Sequence, residues 1–344
     1  MAFSRRSLLA GFAAASAAAT LPIREANAST GPSKSMTLID LSKCDGCPHR
    51  DTPTCVTACR VENAQKFPKP DPAKIKDYWP QNRHEDWSQK THVTNQLTPY
   101  NWLFVQKLTV DHEGKKVKMN VPRRCMHCDN PPCVKVCPFG VAKKDKDGPV
   151  HIDAKGCFGG AKCRTVCPWN VPQRQAGVGV YTYLDPMPVG GGVMYKCDMC
   201  RDRLAQGEQP ACVEACPRGA MTFGPRDQII ARAKDLAKRM NGHLYGLEEN
   251  GGSATVYVSP VPFEKLDEAI VEKIGDDPAK EQRAQRLHNV GSYLKKYDAL
   301  GVGVLAAPVA GAALAFAVTV AAHDKKEKAA RKDASETDVD QEQK

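Results

Sequence analysis

The chain has no nucleophile–base constellation, no glycine-rich phosphate loop and no dinucleotide fingerprint. Without these it has no place to bind and transform a small substrate by itself. Aromatic residues are scarce at 6%, and 25 prolines interrupt the sequence. That pairing predicts a loop-rich body rather than a large regular one. The formal charge of +10 is scattered, with no aromatic–basic motif beside it, which argues against a nucleic-acid partner. An even cysteine count is also missing: there are 15, so a complete disulfide framework is excluded. A chain of 344 residues can bury a core without such staples.

The cysteines themselves are arranged in repeats. From Cys125 the chain reads Cys-Met-His-Cys128, then Cys133 and Cys137-Pro138, which is C-x2-C-x4-C-x3-C-P. This is close to the bacterial iron–sulfur run, in which three thiolates wrap one cluster and the fourth reaches another. The proline stops the chain from continuing as helix. A second set follows at Cys157, Cys163 and Cys167-Pro168, with Gly160 where the repeat calls for cysteine. Glycine can hold no iron. Zinc ribbons also use C-x2-C, but the C-x3-C-P endings point away from zinc.

Two further sets flank this pair. Cys44, Cys47, Cys55 and Cys59 come first, with seven residues between Cys47 and Cys55 and Arg60 in place of the usual proline. Cys197, Cys200, Cys212 and Cys216-Pro217 come last, with eleven residues between Cys200 and Cys212. Four complete sets would need one more thiolate than the chain has, and the gap falls at Gly160.

Residues 1–28 read as a twin-arginine signal peptide: Arg5-Arg6, an Ala-rich apolar run to about Leu21, and a small-residue cleavage site at Ala26-Asn27-Ala28. The run is short of the roughly 20 apolar residues a membrane span needs. Export by this route suits a protein that must be loaded with iron and sulfide before it crosses the membrane. Residues 299–322 carry no charge and are long enough to span a bilayer. The basic cluster Lys325, Lys326, Lys328, Arg331 and Lys332 after them predicts a cytoplasmic tail over 323–344. Within the span, Gly303, Ala307, Gly311 and Ala315 line one helix face, as small residues do where membrane helices dock.

Between these ends, residues 29–298 form the expected exported body. Strands are predicted at 36–40, 102–110, 116–121 and 254–258, with a hairpin across Asp147-Gly148. Helical spacing covers 228–240, and a polar helix is expected over 280–297. Residues 61–100 show no period and read as a long surface insertion. Its Trp79 and Trp87 are read as packing on the chain's own body in preference to anchoring a partner. Residues 170–195 read as a connector. His49, His151 and His243 are assigned surface or packing roles.

Residues 36–270, and the fourth cysteine set most specifically, resemble the iron–sulfur subunits of respiratory oxidoreductases of the formate dehydrogenase-N, dimethyl-sulfoxide-reductase and periplasmic uptake-hydrogenase types. The segment after the fourth set, from Gln228 to Leu266, resembles that of the membrane-anchored hydrogenase and formate dehydrogenase members. The resemblance implies an α+β double ferredoxin-like iron–sulfur domain, loop-rich, here followed by one C-terminal transmembrane helix. It pairs the first set with the fourth and the second with the third. Carried over, it places one [4Fe–4S] cluster on Cys44, Cys47, Cys55 and Cys216, and a second on Cys59, Cys197, Cys200 and Cys212. A third falls on Cys125, Cys128, Cys133 and Cys167, and a [3Fe–4S] cluster on Cys137, Cys157 and Cys163.

The function then expected is an electron-transfer subunit and not a catalyst by itself. It would lie at the periplasmic face of the inner membrane. One partner would be a catalytic subunit holding a nickel–iron site or a molybdenum or tungsten pterin. The other would be a quinone-reactive membrane protein or a cytochrome. The competing reading is a metal-stabilised structural module that tethers a partner to the membrane.

Overall fold

A computed structural model describes residues 31–78, 83–184, 190–275 and 284–292. The expected signal peptide, transmembrane span and tail, the docking face at Gly303 to Ala315, and Trp79 lie outside the described residues. Among those described, no helix is long and apolar enough to cross a membrane. The chain divides into two units after Gly291, and only the first residue of the second is described.

The first unit opens with β1 (Ser35–Asp40) and α1 (Thr54–Glu62), followed by the hairpin β2 (Phe104–His112) and β3 (Lys115–Arg123). Next come α2 (Pro132–Lys135), β4 (Ala142–Lys144), β5 (Val150–Ile152), α3 (Lys162–Thr165), β6 (Gln173–Gln175) and β7 (Val193–Tyr195). The chain then runs through α4 (Arg201–Ala205), α5 (Ala211–Glu214), β8 (Met221–Pro225) and α6 (Arg226–Arg239). It ends in β9 (His243–Tyr245), β10 (Thr255–Ser259) and α7 (Phe263–Ile274).

One four-stranded sheet has the order β8-β1-β10-β9, with β1 and β10 parallel and the outer pairs antiparallel. Its two central strands are buried on both faces, as parallel strands are. Alternation sorts their side chains. Met36, Leu38, Val256 and Val258 meet Ile229, Ala233 and Ala237, a stripe of one residue per turn on α6. Ile39 and Tyr257 point the other way, into the larger core. That core holds Trp102, Leu103, Val121, Trp169, Leu266 and Ile270, together with Cys55, Cys59, Cys125, Cys157, Cys163, Cys197 and Cys212. Full burial of each aliphatic side chain contributes about 1.5–3 kcal/mol. The cysteines are therefore part of the hydrophobic interior and not surface decoration.

The predicted strands and the 228–240 helix are present, and Glu113-Gly114 makes the turn of the β2–β3 hairpin with both residues at positive φ. Two expectations need correction. The 170–195 connector contains the two-stranded ribbon β6–β7, whose three-residue strands are too short to leave a period. Residues 284–292, within the expected polar helix, carry no regular structure. Arg286 there is engaged sideways instead, binding Asp267 of α7 at 2.6 Å.

Candidate iron–sulfur centres

The four cysteine loops share one left-handed turn, which Cys47 and Cys200 extend by a further residue (φ +51° each) and Cys128 and Gly160 do not. In each, the residue before the second cysteine position lies in the left-handed region: Gly46 at φ +70°, His127 at +52°, Gly159 at +70° and Met199 at +62°. For His127 and Met199 this conformation costs roughly 1–2 kcal/mol, so the loop shape is imposed by something beyond the local sequence. The recurrence also fixes the alignment of the third loop. Gly160 occupies the position of Cys47, Cys128 and Cys200. Within the third and fourth loops the turn aims an amide at the first sulfur: Gly159 N–H donates to Cys157 Sγ at 3.5 Å, and Met199 N–H to Cys197 Sγ at 3.4 Å.

Each later pair of cysteines brackets a short helix, and the following residue decides its length. Pro138, Pro168 and Pro217 follow Cys137, Cys167 and Cys216, and the helices α2, α3 and α5 each have only 4 residues. Proline has no N–H to donate and its ring clashes with the preceding turn. Arg60 follows Cys59 instead, and α1 runs for 9 residues through both cysteines to Glu62. The arginine is also put to use. It donates to Tyr100 O at 2.7 Å and Thr91 O at 2.8 Å, clamping the insertion.

The fold brings cysteines from distant sets together. Cys44, Cys47, Cys55 and Cys216 line one small cavity with Val105 and Met221. Cys59 lies within electrostatic reach of Cys197, Cys200 and Cys212. Cys128 neighbours Cys133, Cys125 and Cys167, while Cys157 and Cys163 neighbour Cys137. The four groups also adjoin in a row. Cys55 feels Cys212, Cys197 feels Cys125, and Cys163 feels Cys133.

This donor set suits iron–sulfur clusters. None of the 15 cysteines is in a disulfide. Among the described residues no three His, Cys, Asp or Glu side chains converge tightly enough to share one metal ion. A cluster asks for wider spacing, since each thiolate binds a different iron. Burial, first, and then neighbouring thiolates push the thiols up: Cys44 and Cys167 to about 11, Cys200 and Cys133 to about 12, and Cys59 and Cys128 well above the ordinary 9.0. Such a packed group of sulfurs can be ionised only with a cationic centre between them.

Protein donors already face several of these sulfurs. Asn250 donates to Cys128 Sγ at 3.3 Å, Val171 N–H to Cys167 Sγ at 3.5 Å and Met194 N–H to Cys157 Sγ at 3.4 Å. The Cys125 and Cys197 groups are cross-linked reciprocally. Arg124, just before Cys125, donates to Cys197 Sγ at 3.8 Å, and Lys196, just before Cys197, donates to Cys125 Sγ at 3.5 Å. Burial opposes the charge on both, but the adjacent sulfurs outweigh it and hold both pKa values above their ordinary range. His127 adds a third crossing. Its Nδ1 accepts from Val150 N–H at 3.0 Å, so Nε2 carries the proton it donates to Cys197 Sγ at 3.5 Å. Burial and then Lys196 and Arg124 hold this imidazole neutral, well below its usual pKa.

Sequence reasoning gives none of these three a role. A signal is there all the same: Lys43, Arg124 and Lys196 each stand directly before the first cysteine of a set, and the third set has Gly156 there. His49, expected at the surface, is exposed, and His151 is half-buried beside Asp145, whereas His243, expected to pack, is exposed at the start of β9. The 61–100 insertion packs on the chain's own body. Glu85 binds Arg164 at 2.6 Å and Arg174 at 3.2 Å, and Trp87 N–H donates to Gln175 at 2.8 Å.

Comparison with known proteins agrees with this geometry. Residues 43–141 and 117–226 each match a 4Fe-4S dicluster domain. The protein is 32% identical over 265 residues to the hydrogenase-2 operon protein HybA of Escherichia coli O157:H7, covering 67% of its own length and 71% of the relative. It is 33% identical over 199 residues to the B component of the anaerobic dimethyl sulfoxide reductase of Escherichia coli K12, covering 58% and 77%. With the nitrate-inducible formate dehydrogenase iron-sulfur subunit of the same strain it shares 28% identity over 169 residues, covering 47% and 53%. Four cysteine loops with one shared left-handed turn, thiols gathered in the core and these relatives lead to one assignment: the chain belongs to the family of iron–sulfur electron-transfer subunits of respiratory oxidoreductases.

Proposed function

We propose that this chain is a four-centre electron wire within a membrane-bound respiratory complex. Cys44, Cys47, Cys55 and Cys216 would hold one [4Fe–4S] cluster, and Cys59, Cys197, Cys200 and Cys212 a second. Cys125, Cys128, Cys133 and Cys167 would hold a third, and Cys137, Cys157 and Cys163 a [3Fe–4S] cluster. The observation that carries this reading is the row of adjoining cysteine groups, linked through Cys55 and Cys212, Cys197 and Cys125, and Cys163 and Cys133. When bound, the clusters supply reversible one-electron exchange. The chain's own residues set the conditions: thiolates bind, buried donors to sulfur fix each loop, and the apolar core excludes water. One end of the row would take electrons from, or give them to, a catalytic subunit with a nickel–iron or molybdenum or tungsten pterin site. The other would serve a quinone-reactive membrane subunit or a cytochrome.

Export by the twin-arginine route and anchoring through residues 299–322 complete the proposal. Changing Arg5 and Arg6 together to Lys should then leave unprocessed precursor in the cytoplasm, and normal maturation would remove the export step. For the wire itself, anaerobically purified protein should carry about fifteen iron atoms per chain. Its visible absorbance should bleach with dithionite and return on reoxidation. Zinc in place of iron, with no bleaching, would favour the structural tether instead.

A further inference from the structure

The third loop presents a puzzle. It keeps the shared left-handed turn at Gly159, but Gly160 leaves its second ligand position empty. The backbone does not demand glycine there, because Gly160, unlike Gly159, is outside the left-handed region. Among the described residues, a Cβ built at Gly160 would meet a single group within 4 Å, the Tyr78 hydroxyl at 3.5 Å, which is ordinary contact. The missing side chain is therefore matched by an oxygen brought in from the 61–100 insertion.

Tyr78 is held in that place from several sides. Its N–H donates to Arg83 O at 3.0 Å. Gly191 packs so closely beneath it that a Cβ there would come within 2.7 Å of the Tyr78 Cα. The Arg174 guanidinium sits 4.4 Å from the centre of its ring. Arg174 is itself buried, donates to Gly159 O at 2.8 Å within the same loop, and pairs with Glu85. Glu85 also binds Arg164, which stands between the ligand candidates Cys163 and Cys167. One segment thus grips the third loop through Glu85 and presents a hydroxyl to its empty corner.

We propose that Tyr78 is the cover of this three-thiolate centre: it stands over the corner that Gly160 vacates and keeps a fourth iron out. The proposal rests on the three-iron reading of Cys137, Cys157 and Cys163. The test incubates purified protein with ferrous iron and dithionite, then reoxidises it and records the spin-resonance signal of the oxidised three-iron cluster. In this conversion dithionite gives one electron to [3Fe–4S]⁺, and the reduced cluster takes up one Fe²⁺ to become [4Fe–4S]²⁺.

Wild-type protein is expected to keep its three-iron signal through this treatment. Tyr78→Ala should lose most of it and gain about one iron per chain, while the signals of the other three clusters stay. Tyr78→Phe removes the hydroxyl, the atom that faces the corner, and should convert as Tyr78→Ala does. Tyr78→Val carries the same test if the alanine variant fails to retain its clusters. A three-iron signal equally resistant in wild type and in the truncated variant would overturn the cover. So would a Tyr78→Phe variant as resistant as the wild type. Absence of any three-iron signal in untreated wild type would sink the three-iron reading itself, a result distinct from either.

Discussion

The third and fourth cysteine loops begin alike and end differently. Both turn through a left-handed third residue, and both aim that residue's amide at the first sulfur at 3.4–3.5 Å. The fourth loop then supplies Cys200, and around Cys197 it gathers donors from Arg124 and His127. The third loop supplies Gly160, and around that gap it gathers Tyr78, Arg174 and Glu85 from segments outside the cysteine repeat. The lesson is that the turn and the chemistry of the corner after it are separable, the corner residue itself being left-handed at Cys200 and not at Gly160. The turn is set by the left-handed residue, while the ligand count is set by one side chain.

Breaking the fourth loop should have the largest effect. Cys212 is buried among thiols and beside Arg124. Cys212→Ala is expected to abolish the cluster proposed there and, because Cys212 lies in the core, to destabilise the whole body. Iron analysis should show a loss of about four atoms per chain, with a lowered melting temperature.

Completing the third loop is the converse experiment. Gly160→Cys meets no strained φ and, among the described residues, no atom closer than 3.5 Å at its Cβ. Combined with Tyr78→Ala, which uncovers the corner, it should erase the oxidised three-iron signal and raise the iron content by about one atom per chain. Persistence of that signal in a stable, iron-replete variant would show the fourth corner to be elsewhere.

Removing iron should expose what holds both loops. In the iron-free chain Cys44 and Cys167 titrate near 11 and Cys133 and Cys200 near 12, against an ordinary 9.0, because burial disfavours the thiolate. Between these values the folded state binds more protons than the unfolded state, so stability falls as pH rises. Iron-free protein should therefore lose melting temperature from about pH 9 upward, with its full stability present below that. Iron-loaded protein, its thiolates already deprotonated, should show no such slope over the same window.

Finer changes separate the two environments. Glu85→Gln removes the partner of Arg164 and Arg174 and should cost about 3–5 kcal/mol by denaturant unfolding, as for other broken buried pairs. Lys196→Met removes a buried cation from Cys125 Sγ. The centre on Cys125 should then become harder to reduce, seen as a lower midpoint potential. The potential of the centre on Cys157 should move least.

Much of this was legible in the sequence. The spacing of the cysteines, and the missing one, gave the four groups their membership through the family resemblance. The period of 228–240 gave α6, because burial on one face of a helix leaves a regular trace. What was not legible depended on contacts between distant segments. Nothing local marks Tyr78, 82 positions before Gly160, as the residue facing that gap. His127 looks like an exposed loop residue until the fold lays it against Cys197, 70 positions away. The expected helix over 280–297 failed across 284–292 for the same reason. Arg286 and the Leu287 amide there bind Asp267, a partner that no periodicity reveals.

The central claim is that three full centres and one short one form a single redox row. The most direct test is quantitative spin resonance during stepwise reduction of the purified, full-length protein. The account predicts one three-iron spin per chain when oxidised, vanishing on reduction as the signals of three four-iron centres appear. Four equivalent four-iron centres with no oxidised signal, or a protein silent at every potential, would contradict it.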